Sequence, residues 1–122
     1  MSYLAVMIGG GIGALLRYGL GVGVPYDHWT TLATNLLGCL VLGFFLTYAA
    51  GSGRVPEGLR VGIGTGMLGG FTTFSTFCVE SVRLLQEGYV GQALIYMLGN
   101  LIGGVILAWV GYSLAQKVVQ AR

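Results

Sequence analysis

Charge is what this chain has least of. Of its 122 residues, 6 are Lys or Arg and 4 are Asp or Glu, so 8% are charged, against roughly 25% in an ordinary soluble domain. With 55% hydrophobic residues and a mean hydropathy of +0.81, that shortage excludes a water-soluble fold and reads as an integral membrane protein. Histidine is nearly missing too. His28 is the one copy; it neighbours Asp27 in a turn without a nucleophile, and four dispersed carboxylates cannot complete a catalytic triad or a metal cluster. No enzyme is expected. The two cysteines, Cys39 and Cys78, fall in apolar stretches where a thiol acts as a small apolar side chain, so neither a disulfide nor a cysteine-held metal is expected. The net charge of +2 is scattered over loops and helix ends, without the clustered basic patch that nucleic-acid binding requires. Nucleic acid is set aside.

What is abundant is uncharged length. Stretches 1–16, 29–53, 61–79 and 88–116 carry no charge, and since a span needs roughly 20 apolar residues, the chain reads as four transmembrane helices over 3–24, 29–50, 59–87 and 90–116. The first has no basic residue before Arg17 and is too long for a signal sequence, so it is expected to be retained. Turn signals at 24–28, 51–58 and Gly88 leave only short connections. Consecutive helices are therefore antiparallel neighbours. Four spans put both termini and the middle connection on one side, with Arg54, Arg60, Lys117 and Arg122, against Arg17 and Arg83 on the other. A bias that slight allows insertion in both orientations.

Glycine is plentiful, with 23 copies, several at spacing four: Gly9/Gly13, Gly19/Gly23, Gly62/Gly66/Gly70 and Gly99/Gly103. Such faces let helix backbones approach closely in lipid, where packing drives association. They imply a crowded bundle and an oligomer. Gly9 to Ala14 and Gly64 to Gly69 imitate nucleotide fingerprints, but neither lies in the βαβ unit that gives the pattern meaning.

The most informative run is Gly69-Gly70-Phe71-Thr72-Thr73-Phe74-Ser75-Thr76-Phe77, where a membrane helix would be expected to stay aliphatic. Lipid offers backbone amides no partner, so a breakable segment at membrane depth must be buried in protein or line a polar cavity. A broken helix at mid-membrane marks an ion or solute site. Thr31, Thr34, Asn35 and Gly38 share one face of the second helix, and the Asn35 amide needs partners or a wet cavity. Tyr96 and Asn100 form a comparable pair on the fourth helix. Phe74 and Phe77 share a face, with Ser75 and Thr76 on the adjoining surface. An aromatic ring has a positive edge, so rings held edge-on to a narrow pore favour a small anion without trapping it as arginine would. Arg17 lies far along the first helix, within snorkelling reach of an interface or placed for a vestibule. Glu80 and Arg83, three apart, suit an intrahelical pair.

These residues resemble the Fluc (CrcB) fluoride channel family: the Gly-Ala-Leu-Leu-Arg-Tyr segment ending at Tyr18, Ala33-Thr34-Asn35-Leu36-Leu37-Gly38, and above all the run from Gly69 to Phe77 followed by Glu80. The resemblance spans the whole chain. It implies an all-α membrane protein of four transmembrane helices, the third broken near 70–74, in an antiparallel, dual-topology homodimer, or a heterodimer with a related chain. It further implies a multi-pass protein of the bacterial inner membrane, set in its lipid, exporting fluoride passively through two narrow pores around a structural sodium ion on the dimer axis. The fluoride pathway would fall to Asn35, Phe74, Ser75, Thr76, Phe77 and Tyr96, continuing to Asn100; Asn100 and Gly104 stand where many members have hydroxyls. Arg17 and Glu80 would be vestibule or structural charges, and sodium would rest on the backbone carbonyls of Gly69 and Thr72. The competing readings are a small proton-coupled multidrug exporter, which needs a carboxylate in the first helix where this chain has Arg17, and a non-transporting scaffold.

Overall fold

A computed structural model describes residues 2–24 and 27–121. Pro25 and Tyr26 of the first turn, and Arg122 of the charge comparison, lie outside them. Every regular element among the described residues is helical. Helix α1 (Ser2–Gly21) ends three residues before the expected 24, and Gly23 follows it at φ 88°, a left-handed turn that only glycine adopts without strain. Helix α2 (His28–Ser52) starts under a cap from Asp27, whose side chain accepts from Thr30 N at 3.0 Å, and stops at left-handed Gly53. That contact, first of all, holds the Asp27 carboxyl below its ordinary range.

The third span comes in two parts. Its first part runs through α3 (Glu57–Val61), a π-helical segment π1 (Gly62–Leu68) and the short α4 (Gly69–Phe71). Its second part is α5 (Phe74–Gln86). The fourth runs as α6 (Val90–Leu98), π2 (Gly99–Gly103) and α7 (Gly104–Gln120), past the expected end at 116 because no glycine or proline interrupts 112–120. Among the described residues, three helices are long and apolar enough to cross a membrane: Ser2–Gly21, His28–Ser52 and Val90–Gln120. The third span is shortened by its interruption.

Packing follows the glycines. Helix α1 lies along π1 and α4, α2 along α7, and α5 against α6. Gly9 and Gly13 abut the carbonyls of Gly62 and Met67, while a Cβ on Gly66 would stand 2.7 Å from Val6 O and one on Gly70 2.5 Å from Gly10 O. The two glycine faces thus mesh backbone to backbone. In the same way Gly43 abuts Ala108 O and Gly111 abuts Leu40 O, joining α2 to α7. A Cβ on Gly19 or Gly23 would meet no described atom within 4 Å, so spacing four there marks no helix contact among the described residues.

Candidate functional site

Halfway between Glu57 and Gln86 the backbone leaves the helix. Thr72 (φ −75°, ψ 159°) and Thr73 (φ −144°, ψ 121°) are extended. The reason is a change of partners. Leu68 O takes both the N–H (3.0 Å) and the hydroxyl (3.1 Å) of Thr72, which closes the first part. Thr73 Oγ1 accepts from Thr76 N at 3.2 Å, which caps the second part as an N-cap threonine does. The Thr73 N–H, which a continuous helix would send to Gly69 O, goes instead to Asn35 Oδ1 at 2.9 Å.

Asn35 therefore does more than satisfy itself. Its Nδ2 donates to Thr73 O at 3.1 Å while its Oδ1 accepts from Thr73 N, so one side-chain amide pairs with a whole peptide residue. The same Nδ2 donates to Asn100 Oδ1 at 3.0 Å, and Asn100 Nδ2 donates to Tyr96 O at 3.0 Å. These bonds join α2, the break and the fourth span. Asn35, Thr72, Thr73, Phe74, Phe77 and Asn100, with Gly38, Cys39, Leu42 and Leu101, line a cavity of about 320 Å³. Not one of these residues is charged. Phe74 and Phe77 stack at 5.6 Å and 29°, with Phe74 76% exposed on the flank of the chain.

The two ends of the break differ in polarity. The first part of the span delivers carbonyls to it, and α5 delivers the N–H groups of its first turn, the positive end of a helix dipole. Ser75 and Thr76 sit in that first turn rather than on the cavity wall. Their hydroxyls turn to Thr73, at 3.4 Å and 2.9 Å.

Behind Phe77 lies Tyr96, fully buried, with ring centroids 5.5 Å apart. Its hydroxyl donates to Glu80 Oε2 at 2.7 Å, and buried Thr31 donates to Glu80 Oε1 at 3.1 Å. Glu80 thus turns across the bundle to α2 and α6, and no Glu80–Arg83 ion pair forms among the described residues; two buried hydroxyls are better placed than a flexible arginine in the exposed turn. A recess of about 250 Å³ opens beside Glu80, shared with Asp27, His28, Arg83 and Gln92. Arg17, expected within snorkelling reach of an interface or as a vestibule or structural charge, bonds inside the bundle. Instead of snorkelling outward, it donates from Nη1 to Thr72 O at 3.2 Å, because the break exposes a carbonyl within its reach. A second cavity, of about 480 Å³, lies beside it along Ala14, Tyr18, Gly21 and Val22.

Two contributors, Thr31 and Thr73, were read from sequence as part of a polar face and of the broken run, without the roles they take here. Thr73 stands three residues before Thr76, the spacing of a cap, which signals the start of a helix. Thr31 lies four residues before Asn35, on the polar face already recognised, but spacing does not reveal that Glu80 is its partner.

An apolar bundle whose interrupted span offers peptide groups and uncharged side chains to a cavity at the break is the build of a membrane protein that handles a small ion. The chain matches the family model "CrcB-like protein, Camphor Resistance (CrcB)" over residues 4–112. It is 43% identical over 122 residues to a "Fluoride-specific ion channel FluC" of Thermus thermophilus, covering 96% of this chain and 95% of that one. It is 41% identical over 121 residues to "Fluoride-specific ion channel FluC 2" of Geobacillus kaustophilus, with 95% and 94% covered. A third relative, "Fluoride-specific ion channel FluC 1" of Bacillus cereus, is 38% identical over 126 residues, with 98% and 91% covered. The chain belongs to the CrcB family.

Proposed function

We propose that this chain is a fluoride channel, passing fluoride passively out across the bacterial inner membrane. The observation that carries the reading is the cavity at the break, lined by Asn35, Asn100, Thr72, Thr73, Phe74 and Phe77 with no charged residue among its lining. Fluoride is small and tightly hydrated, so it needs substitutes for its water. Amide and hydroxyl donors, the first turn of α5 and the positive edges of Phe74 and Phe77 supply them. A lysine or arginine there would bind the ion and stall it. Conduction needs sites weak enough to leave.

The working unit in this reading is an antiparallel homodimer with two pores. Support comes from the open side of the cavity, where Phe74 is 76% exposed and Leu101 67% exposed. A second copy would close it. The weak charge bias of the loops suits opposite insertion. A structural sodium on the axis would rest on the carbonyls of Gly69 and Thr72. The donor chemistry fits: hard cations take oxygen ligands, and Gly69 O has lost its helical donor because Thr73 N turns to Asn35. Thr72 O, although it holds Arg17, keeps a second lone pair. Two carbonyls from one chain are too few, which again asks for a second copy. A proton-coupled exporter is not favoured, since α1 carries no acid.

The test is efflux from vesicles holding purified protein, followed with a fluoride electrode and compared with chloride. Fluoride should leave and chloride stay, with Phe74→Ile and Phe77→Ile slowing the flux. Efflux that depends on a proton gradient, or none at all, would overturn the reading.

A further inference from the structure

Glu80 commits both carboxylate oxygens to Thr31 and Tyr96, and among the described residues Arg83 forms no ion pair with any acid. Glu87, four residues on, does not replace Glu80, because an arginine that precedes its acid is the poorer order for a helical pair. With 3.6 residues per turn, Val79, Val82, Arg83 and Gln86 fall on the flank of α5 opposite its buried Ser81 and Leu84. They are also well round the helix from Phe74, the side on which a second copy would close the cavity. Together with Cys78 they line a shallow groove of about 440 Å³, with Val79 63% and Val82 52% exposed. That flank faces lipid, where a charge without a partner is costly. Its depth follows from the end of the helix: α5 stops at Gln86, Gly88 turns the chain at φ 83°, and exposed Tyr89 lies at the same end as exposed Trp29. Tyrosine and tryptophan mark the membrane boundary. Arg83 lies between that boundary and the valines, at the level of lipid phosphates.

We propose that this groove holds a phospholipid with a primary ammonium headgroup, its acyl chain along Val79 and Val82, its phosphate on Arg83 and Gln86, and its ammonium on Glu87. The order of groups along α5 carries the assignment: apolar wall, then cation and amide, then anion, ending at the membrane boundary. A guanidinium fork matches two phosphate oxygens, and a primary ammonium has three hydrogens for a carboxylate. A lipid of net negative charge would bring its headgroup against Glu87 with no cation to offset it. Neither Arg83 nor Glu87 lines the cavity at the break. The inference therefore holds whichever ion that cavity passes.

Native mass spectrometry of the full-length protein, equilibrated with equal amounts of phosphatidylethanolamine, phosphatidylcholine and phosphatidylglycerol, tests it. The ethanolamine lipid should be retained about tenfold over the choline lipid, whose nitrogen has no hydrogen to donate; tenfold is about what one charge-assisted hydrogen bond contributes to affinity. Arg83→Gln should cut retention of the ethanolamine lipid by about tenfold or more. Glu87→Gln should keep phospholipid bound and bring the ethanolamine and choline lipids level. Both side chains are exposed, so each variant should keep the elution volume of the unmodified protein. Equal retention of the three lipids, or retention untouched by Arg83→Gln, overturns the proposal. Equal competition by glycerophosphoethanolamine, which has the headgroup without the chains, also overturns it by removing the valines from the site. A disulfide between two copies of Val82→Cys, formed in membranes on a Cys78→Ser background, would give the groove to a second copy of the chain and overturn it too.

Discussion

Arg17 and Thr72 meet across the first and third spans, guanidinium Nη1 to backbone carbonyl, at 3.2 Å. The contact gives the opened peptide a charge-assisted donor at a part-buried position. Such a bond contributes about 1.5–3 kcal/mol, more than a neutral one. Arg17→Met should therefore lower the unfolding free energy in detergent by about that amount, with Arg17→Lys recovering part of it. Unchanged thermal unfolding in Arg17→Met would mean the carbonyl finds its partner elsewhere.

The meshed glycines make a sharper contrast. A Cβ on Gly13 would run into Met67 O, whereas one on Gly19 meets nothing. Gly13→Ala must push α1 off the third span and is expected to cost at least about 1–3 kcal/mol, the usual penalty of overpacking. Gly19→Ala removes a flexible residue from a helix and should be neutral or stabilising by about 0.5–1 kcal/mol. Equal melting temperatures for the two variants would contradict the backbone contact.

Glu80 accepts from two neutral hydroxyls on two other helices. Tyr96→Phe deletes the 2.7 Å donor and should destabilise by about 1.5–3 kcal/mol. Combined with Glu80→Gln it should cost less than the sum of the two, since both changes strike one bond. Additive losses in that double-mutant cycle would show that the tyrosine and the carboxylate act separately.

Asp27 offers a dependence on pH. Hydrogen bonds from Thr30 lower its carboxyl below the ordinary value. A group depressed on folding stabilises above its unfolded pKa, near 3.9, and that stability is lost as pH falls through the folded value. Asp27→Ala should cost about 1 kcal/mol at neutral pH, and the gap to the unmodified protein should narrow below about pH 4. A gap that stays constant down to pH 3 would assign the cap to something other than the carboxylate.

Much of the site could be read in one dimension. The run from Gly69 to Phe77 announces an interruption because glycines weaken a helix and threonines can cap the next one, and both effects act over three or four residues. Helical spacing likewise puts Thr31, Thr34 and Asn35 on one face, and Tyr96 and Asn100 on another. Charge counting alone implies a membrane environment. Each of these depends on neighbours along the chain.

Partners across the bundle were another matter. Spacing assigns Glu80 to Arg83 and leaves Arg17 at an interface, yet the fold sends Glu80 to Thr31 and Tyr96 and Arg17 to Thr72. It also shows that Asn35 pairs with both ends of Thr73 while donating to Asn100. Residue order settles where the helix opens and which side chains share a face. Only the packed bundle decides which donor meets which acceptor, because hydrogen bonds are satisfied over about 3 Å of space, between residues as much as 65 positions apart.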